Sequence, residues 1–315
     1  MKKRIISLIL MLSILLVTTS CLPESISVTY IYRNGQDLYT EVYTEDSFSR
    51  PKDPERDGYV FLGWSTDPNE LRFFDFSELP DESIALYAVW MPDYKKLSEE
   101  ISTEAMSYNV KINSEHYASI LSPAATSQGS GVIFYETQTH YYILTNHHVA
   151  VKEGEYVRNE YIVWDCYGNK YSAELLEADA EYDLAVMTVR KYTSVELSSV
   201  KLELAIPDRY ETVVSLGSPK GQFNSVTIGE VSNYKAVEQS TNGVSEVDFE
   251  LIWHTAYANH GSSGGALINT SLNLVGINFA VATNEKGEYL YCVAVPSAKI
   301  TEFLQSKGYH YNLAE

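Results

Sequence analysis

Basic residues are scarce in this chain: 23 Lys and Arg stand against 42 Asp and Glu, for a formal net charge of -19. Binding to a phosphate backbone relies on clustered cations that displace counterions, so a nucleic acid is excluded as the main partner. Cysteine is rarer still, with three residues in 315. Three thiols do not make a disulfide framework, and their spacing matches no metal site, so the fold must rest on an apolar core and no metal or other cofactor is expected. Cys166 and Cys292 could form at most one disulfide and read as small buried apolar residues. Runs rich in alanine and leucine are few, and a long apolar stretch occurs only at the N-terminus.

That stretch runs from Ile5 to Val17, after Lys2, Lys3 and Arg4 and before Thr18, Thr19, Ser20 and Cys21. A basic start, an apolar middle and small residues form the three-part layout of a secretory signal, and the run is shorter than the twenty or so residues that a membrane span needs. Residues 1–20 are therefore expected to be a signal peptide. The small residues before Cys21 resemble the lipobox of bacterial lipoproteins, although Thr18 stands where that motif usually has Leu. The resemblance implies lipidation of Cys21 and a lipid anchor on the extracytoplasmic face of the cell membrane; ordinary cleavage after Ser20, giving a secreted protein, cuts the same bond.

What is present points to a mostly β protein. Hydrophobic residues make up 45% of the chain, enough for a packed core, and its 25 tyrosines lie among short Val, Ile and Thr-rich segments broken by Gly, Asn, Asp and Pro. The length suits two domains. In residues 27–91, an alternating strand Val28 to Tyr32, a Gly35 turn and a second strand Leu38 to Tyr43 are followed by Gly58-Tyr59-Val60-Phe61-Leu62-Gly63-Trp64 and Leu86-Tyr87-Ala88-Val89-Trp90. The last two segments resemble the internalin-B-type repeat of bacterial surface proteins, which implies a small β-grasp-like fold outside the cell. Trp64, Tyr87 and Trp90 are expected to supply its core, since so small a unit needs large side chains.

Residues 92–107 read as a connecting helix, with Leu97, Ile101 and Ala105 at four-residue spacing. Residues 108–312 then alternate short strands and turns, as in a β-barrel or sandwich, up to a helical stretch near Ser297 to Ser306.

Three segments of this second module carry chemistry. Gly129-Ser130-Gly131-Val132-Ile133 precedes Thr145-Asn146-His147-His148-Val149, which places a histidine where a strand ends. Asp183-Leu184-Ala185-Val186 sets a carboxylate at the head of an apolar strand, and Asp179 reads as a turn residue. His260-Gly261-Ser262-Ser263-Gly264-Gly265 offers a serine on a glycine-rich turn, where missing side chains allow close backbone approach. These blocks resemble HtrA/Deg-type proteases of the trypsin-like superfamily. So do Leu216-Gly217-Ser218-Pro219-Lys220-Gly221 and Val226-Thr227-Ile228-Gly229-Glu230-Val231-Ser232.

The resemblance implies a trypsin-like double β-barrel and a serine endopeptidase acting on proteins or peptides. His148 rather than His147 would be the base, Asp183 its carboxylate partner and Ser263 the nucleophile, in the superfamily's chain order. The amides of Gly261 and Ser263 would form the oxyanion hole, and Tyr257, Asn278, Phe279 and Ala280 the substrate pocket. Tyr257 stands six residues before the nucleophile, where a pocket-floor acid would select basic side chains, so basic specificity is not expected. Ser262 replaces the acid that orders the oxyanion hole of digestive enzymes, which assigns that task to the loops Thr255 to Ser262 and Val281 to Glu288. No PDZ domain is expected after the last helix, and the family leaves an oligomer open. Two other functions fit the same residues: a catalytically silent surface-binding lipoprotein on a protease-fold scaffold, and hydrolysis of a non-peptide ester.

Overall fold

The computed structural model describes residues 25–314, except 35–38, 45, 68–71, 120–121, 193–194, 223, 237–246 and 284–288. The signal segment, Cys21 and most of the loop following Val281 lie outside the described residues. The chain divides into two compact units between Met91 and Pro92.

The first unit is a four-stranded sheet of β1 (Ile26–Ile31), β2 (Tyr39–Tyr43), β3 (Tyr59–Ser65) and β4 (Ile84–Pro92), in the order β2-β1-β4-β3. Alternation in β1 buries Ile26, Val28 and Tyr30 on one face. The strand pairs antiparallel with β2 and parallel with β4, where Val28 faces Ile84 and Tyr30 faces Leu86. Trp64 is the centre of the core, with the Tyr30 ring edge-on at 4.9 Å and Phe61 at 5.5 Å. The indole of Trp90 donates to the Tyr32 carbonyl at 2.7 Å. Tyr87, expected in this core, is only half-buried, because Leu86 and Ala88 point inward on either side of it and alternation sends it to the other face.

In the second unit, α1 (Tyr94–Glu100) starts at Asp93, whose carboxylate accepts from the Lys96 amide at 3.0 Å. The helix continues through a wider π turn, Ile101–Ala105, into the short α2 (Met106–Tyr108). Leu97, Ile101, Ala105 and Tyr108 are buried in the core of this unit, so the expected connector is an integral part of it. The Tyr108 hydroxyl donates to the Leu272 carbonyl at 3.0 Å, which ties the helix end to a turn of the second barrel.

Twelve strands follow as two closed barrels. The first comprises β5 (Asn109–Tyr117), β6 (Ala125–Glu136), β7 (His140–Thr145), β8 (Arg158–Trp164), β9 (Lys170–Asp179) and β10 (Leu184–Arg190), in cyclic order β10-β7-β6-β5-β8-β9. One helical turn, α3 (His147–Ala150), leaves the end of β7. The second comprises β11 (Thr212–Gly217), β12 (Ser225–Lys235), β13 (Leu251–His254), β14 (Ala266–Ile268), β15 (Leu274–Thr283) and β16 (Tyr289–Pro296), in cyclic order β11-β12-β13-β16-β15-β14. Closure leaves neither barrel a free edge. The final helix α4 (Ser297–Ser306) buries Ile300, Phe303 and Leu304. Cys166 and Cys292 are both free thiols.

Candidate active site

Asp183 is fully buried and sits in left-handed backbone, with φ 48°, at the turn that leads into β10. Such a conformation is costly for a residue with a side chain and persists only where its surroundings enforce it. Here the Asp183 carbonyl accepts from the His147 amide at 3.1 Å and the Asn146 side-chain amide at 3.0 Å. Its carboxylate takes the His148 amide on one oxygen at 3.0 Å and the His148 Nδ1 on the other at 2.7 Å. The turn of α3 thus wraps around one acidic residue, and the imidazole is held at two points. The His148 ring is 20% exposed, whereas the carboxylate beneath it is inaccessible. His147 contributes its backbone to this clamp. Asp179 instead closes its own turn by accepting the Glu181 amide, and pairs with Lys307 at 3.1 Å.

Ser263 lies on the loop between β13 and β14. Its carbonyl accepts from the Ser130 amide of the first barrel at 2.8 Å, and its hydroxyl donates to the Phe279 carbonyl at 3.4 Å. The Phe279 ring stands edge-on to His148 with centroids 6.3 Å apart. A Cβ built on Gly129 would run into Val149, next to His148, and lie 3.0 Å from the Ser263 carbonyl. Phe279 thus meets Ser263 through its carbonyl and His148 through its ring.

The nucleophile loop is set by backbone hydrogen bonds. Gly264 donates to Asn278 and Asn278 to Gly265, both at 2.8 Å, while Gly265 donates to the Ser262 carbonyl at 3.0 Å. The His260 carbonyl accepts from the Lys220 amide at 2.7 Å. Carbonyl and N–H point to opposite sides of a trans peptide, so these last two bonds turn the Ser263 and Gly261 amides away from Gly265 and Lys220. Among the described residues, neither amide donates to a protein acceptor. Gly261 has φ 98°, and a Cβ there would meet the Ser218 carbonyl at 2.6 Å. Only glycine fits without strain.

The residues expected to line the substrate pocket divide. Tyr257 is 48% exposed, Ala280 is half-buried, and Phe279 faces the histidine. Asn278 does not line a cleft through its side chain: it is buried, and its amide bonds to Ser215 Oγ at 3.0 Å and to the Leu216 and Ala266 carbonyls at 3.2 Å. Its register partner is Ala294, and a bulge between Asn278 and Ala280 shifts the facing of the strand just after it. Ser262 is buried and neutral, its hydroxyl accepting the Asn259 amide at 3.3 Å inside the loop. The Ala258 amide of the same loop contacts Cys292 Sγ at 3.1 Å.

Sequence reasoning missed a polar group inside the second barrel. His254 pairs across the sheet with Cys292 and is fully buried, with only the Ala256 backbone near enough among the described residues to offset the burial of its ring. Burial pushes its imidazole down from 6.5 to about 3, so it is neutral at ordinary pH.

Residues 129–277 match the trypsin-like peptidase domain model. The second unit is similar to a trypsin-like peptidase domain over these residues. Residues 27–89 match the Listeria-Bacteroides repeat domain. A serine protease Do-like HtrA of Bacillus subtilis (strain 168) is 32% identical over 190 residues, or 58% of this chain and 40% of the relative. A probable periplasmic serine protease do/HhoA-like of Haemophilus influenzae is 31% identical, over 56% of this chain and 36% of its own. Serine protease HTRA4 of Mus musculus is 33% identical, over 59% and 35%. The chain thus spans no more than two fifths of the length of these relatives. Among solved structures, the HtrA-type protease AlgW with tripeptide aligns at a TM-score of 0.53 and 26% identity, covering 67% of this chain and 62% of that one. The peptidase domain is HtrA-like in both sequence and architecture.

Proposed function

We propose that this protein is an exported serine endopeptidase that cleaves peptide bonds in proteins by acyl transfer. In this reaction His148 takes the proton of the Ser263 hydroxyl as the oxygen attacks a substrate carbonyl. The two-point hydrogen bond to Asp183 holds the imidazole with Nδ1 protonated and stabilises the imidazolium that forms. The hydroxyl first leaves the Phe279 carbonyl, a long 3.4 Å contact and so an inexpensive one to break. Gly261 and Ser263 donate their amides to the oxyanion; one such donor is worth about 2.7 to 4 kcal/mol of barrier. His148 then protonates the leaving amine, and water releases the acyl group from Ser263.

The observations that carry this reading are the buried Asp183 clamping His148 and a glycine-rich loop whose Gly261 and Ser263 amides have no acceptor among the described residues. Tyr257 and Ala280 flank the substrate, with Phe279 limiting its depth, which favours small or aliphatic side chains before the cut. Cys21 carries a lipid that tethers the enzyme outside the cell, and the repeat unit follows it in the chain before the catalytic unit. The test is casein hydrolysis and fluorophosphonate labelling of wild type against Ser263→Ala. Both signals should vanish in the variant with little change in thermal unfolding, because the hydroxyl serves chemistry rather than packing. Turnover at the wild-type level would end the assignment, and failure of the wild type itself to label would favour a silent scaffold.

A further inference from the structure

The hydroxyl of Ser130 lies at the junction of the two barrels. Ser130 is fully buried on β6, 131 residues before Gly261, to whose carbonyl its Oγ donates at 2.7 Å. The same oxygen accepts from the Ser218 amide at 2.8 Å. The Ser130 amide holds the Ser263 carbonyl at 2.8 Å, and its own carbonyl accepts from Thr145 Oγ1 at 2.7 Å. One small side chain thereby connects the loop carrying the nucleophile with the turn Pro219–Gly221 that opens after Ser218.

That turn acts on the other side of Gly261. Lys220, with φ 52°, donates its amide to the His260 carbonyl at 2.7 Å, and Lys111 Nζ from the first barrel braces the turn by donating to the Gly221 carbonyl at 3.2 Å. The peptide before Gly261 is therefore oriented by Lys220, and the peptide after it by Ser130 directly. Gly261 would otherwise be the most freely rotating residue of the loop, since glycine populates both signs of φ. Rotating the peptide before it would turn the Gly261 N–H out of the cleft and put a carbonyl in its place.

We propose that Ser130 is a positioning residue for the oxyanion hole: its hydroxyl locks both peptides around Gly261, one directly and one through the Ser218 to Gly221 turn. This rests on the reading of Gly261 as an oxyanion donor. Ser130 does not touch substrate and takes no part in proton transfer, because its oxygen already donates to Gly261 and accepts from Ser218. Without the hydroxyl, the fraction of molecules with the Gly261 amide in place falls, and turnover falls in proportion.

The test compares wild type with Ser130→Ala in steady-state peptide hydrolysis, in inhibition by a peptide boronate and in inhibition by the cleaved product peptide. Complete loss of one oxyanion donor lowers kcat by about 100- to 1000-fold, so a loosened donor should lower it by roughly tenfold to a hundredfold. KM and the product inhibition constant should stay within about twofold of wild type, whereas the boronate constant should rise by the factor by which kcat falls, because only a tetrahedral adduct uses the hole. Ser130→Cys keeps a weak donor of similar shape, should recover part of kcat, and is judged by the same pattern if the alanine variant does not fold. A kcat within twofold of wild type, or product and boronate constants rising together, would overturn the proposal. Full activity of Ser263→Ala would remove the reading beneath it instead.

Discussion

Replacing His254 by Met should remove a large part of the acid sensitivity of the peptidase domain. In the folded protein the ring is sealed inside the second barrel, and burial, only partly offset by the Ala256 backbone, holds its pKa near 3 against 6.5 in the unfolded chain. A histidine depressed in this way contributes its full stability above about pH 6.5. As pH falls below that value the unfolded chain gains a proton that the folded one refuses, and stability drops by about 1.4 kcal/mol per pH unit until the folded group titrates near 3. Between pH 7.5 and 4.5 the loss from this one group comes to roughly 3 kcal/mol, a large share of the 5 to 15 kcal/mol typical of a whole domain. Urea unfolding followed by tryptophan fluorescence, in a Ser263→Ala background to prevent self-digestion, measures it. Other titrating groups cancel in the difference between His254→Met and its parent. That difference should widen in favour of the variant by about 3 kcal/mol over this interval. A difference that stays constant with pH would refute the reasoning.

His148→Ala should eliminate peptide hydrolysis, whereas His147→Ala should keep most of it, because the contribution of His147 to the Asp183 clamp is its backbone amide; reversed effects in a casein assay would shift the base by one residue. Gly261→Ala should lower kcat by about 100-fold or more with little change in KM, since its Cβ would lie 2.6 Å from the Ser218 carbonyl at a φ of 98°. Mass spectrometry of the membrane fraction should find the processed chain starting at an acylated Cys21, and Cys21→Ala should release the protein; an unmodified soluble wild-type product would favour ordinary secretion.

Much of the candidate site could be proposed from the linear sequence because its parts are local. A glycine-rich turn around Ser263, an acid heading the strand Leu184–Arg190, and a histidine just past the strand His140–Thr145 each need only neighbouring residues to take shape. The repeat unit was similarly visible in its spaced aromatics, and the mainly β character in short alternating segments. Aromatic size alone put Tyr87 in the core, yet the choice of face belongs to the parallel pairing of β1 with β4, which turns Leu86 toward Tyr30 instead.

Other features depend on contacts that no local pattern carries. The helix after Pro92 looks like a connector until its apolar stripe is seen buried in the second unit, with Tyr108 bonded to Leu272 far along the chain. Asn278 sits beside the pocket in sequence, but the side chain is turned inward and its amide is spent on Ser215, Leu216 and Ala266. Ser130 belongs to a recognisable block, while its role depends on the first barrel meeting the loop of the second, 131 residues later. The sequence by itself determined which residue types stand at strand ends and turns, because hydrophobic period and backbone sterics act over a few residues. Barrel closure and the meeting of the two barrels decided which peptide groups face the cleft, because the orientation of a carbonyl or an amide is set by the partner it finds across space.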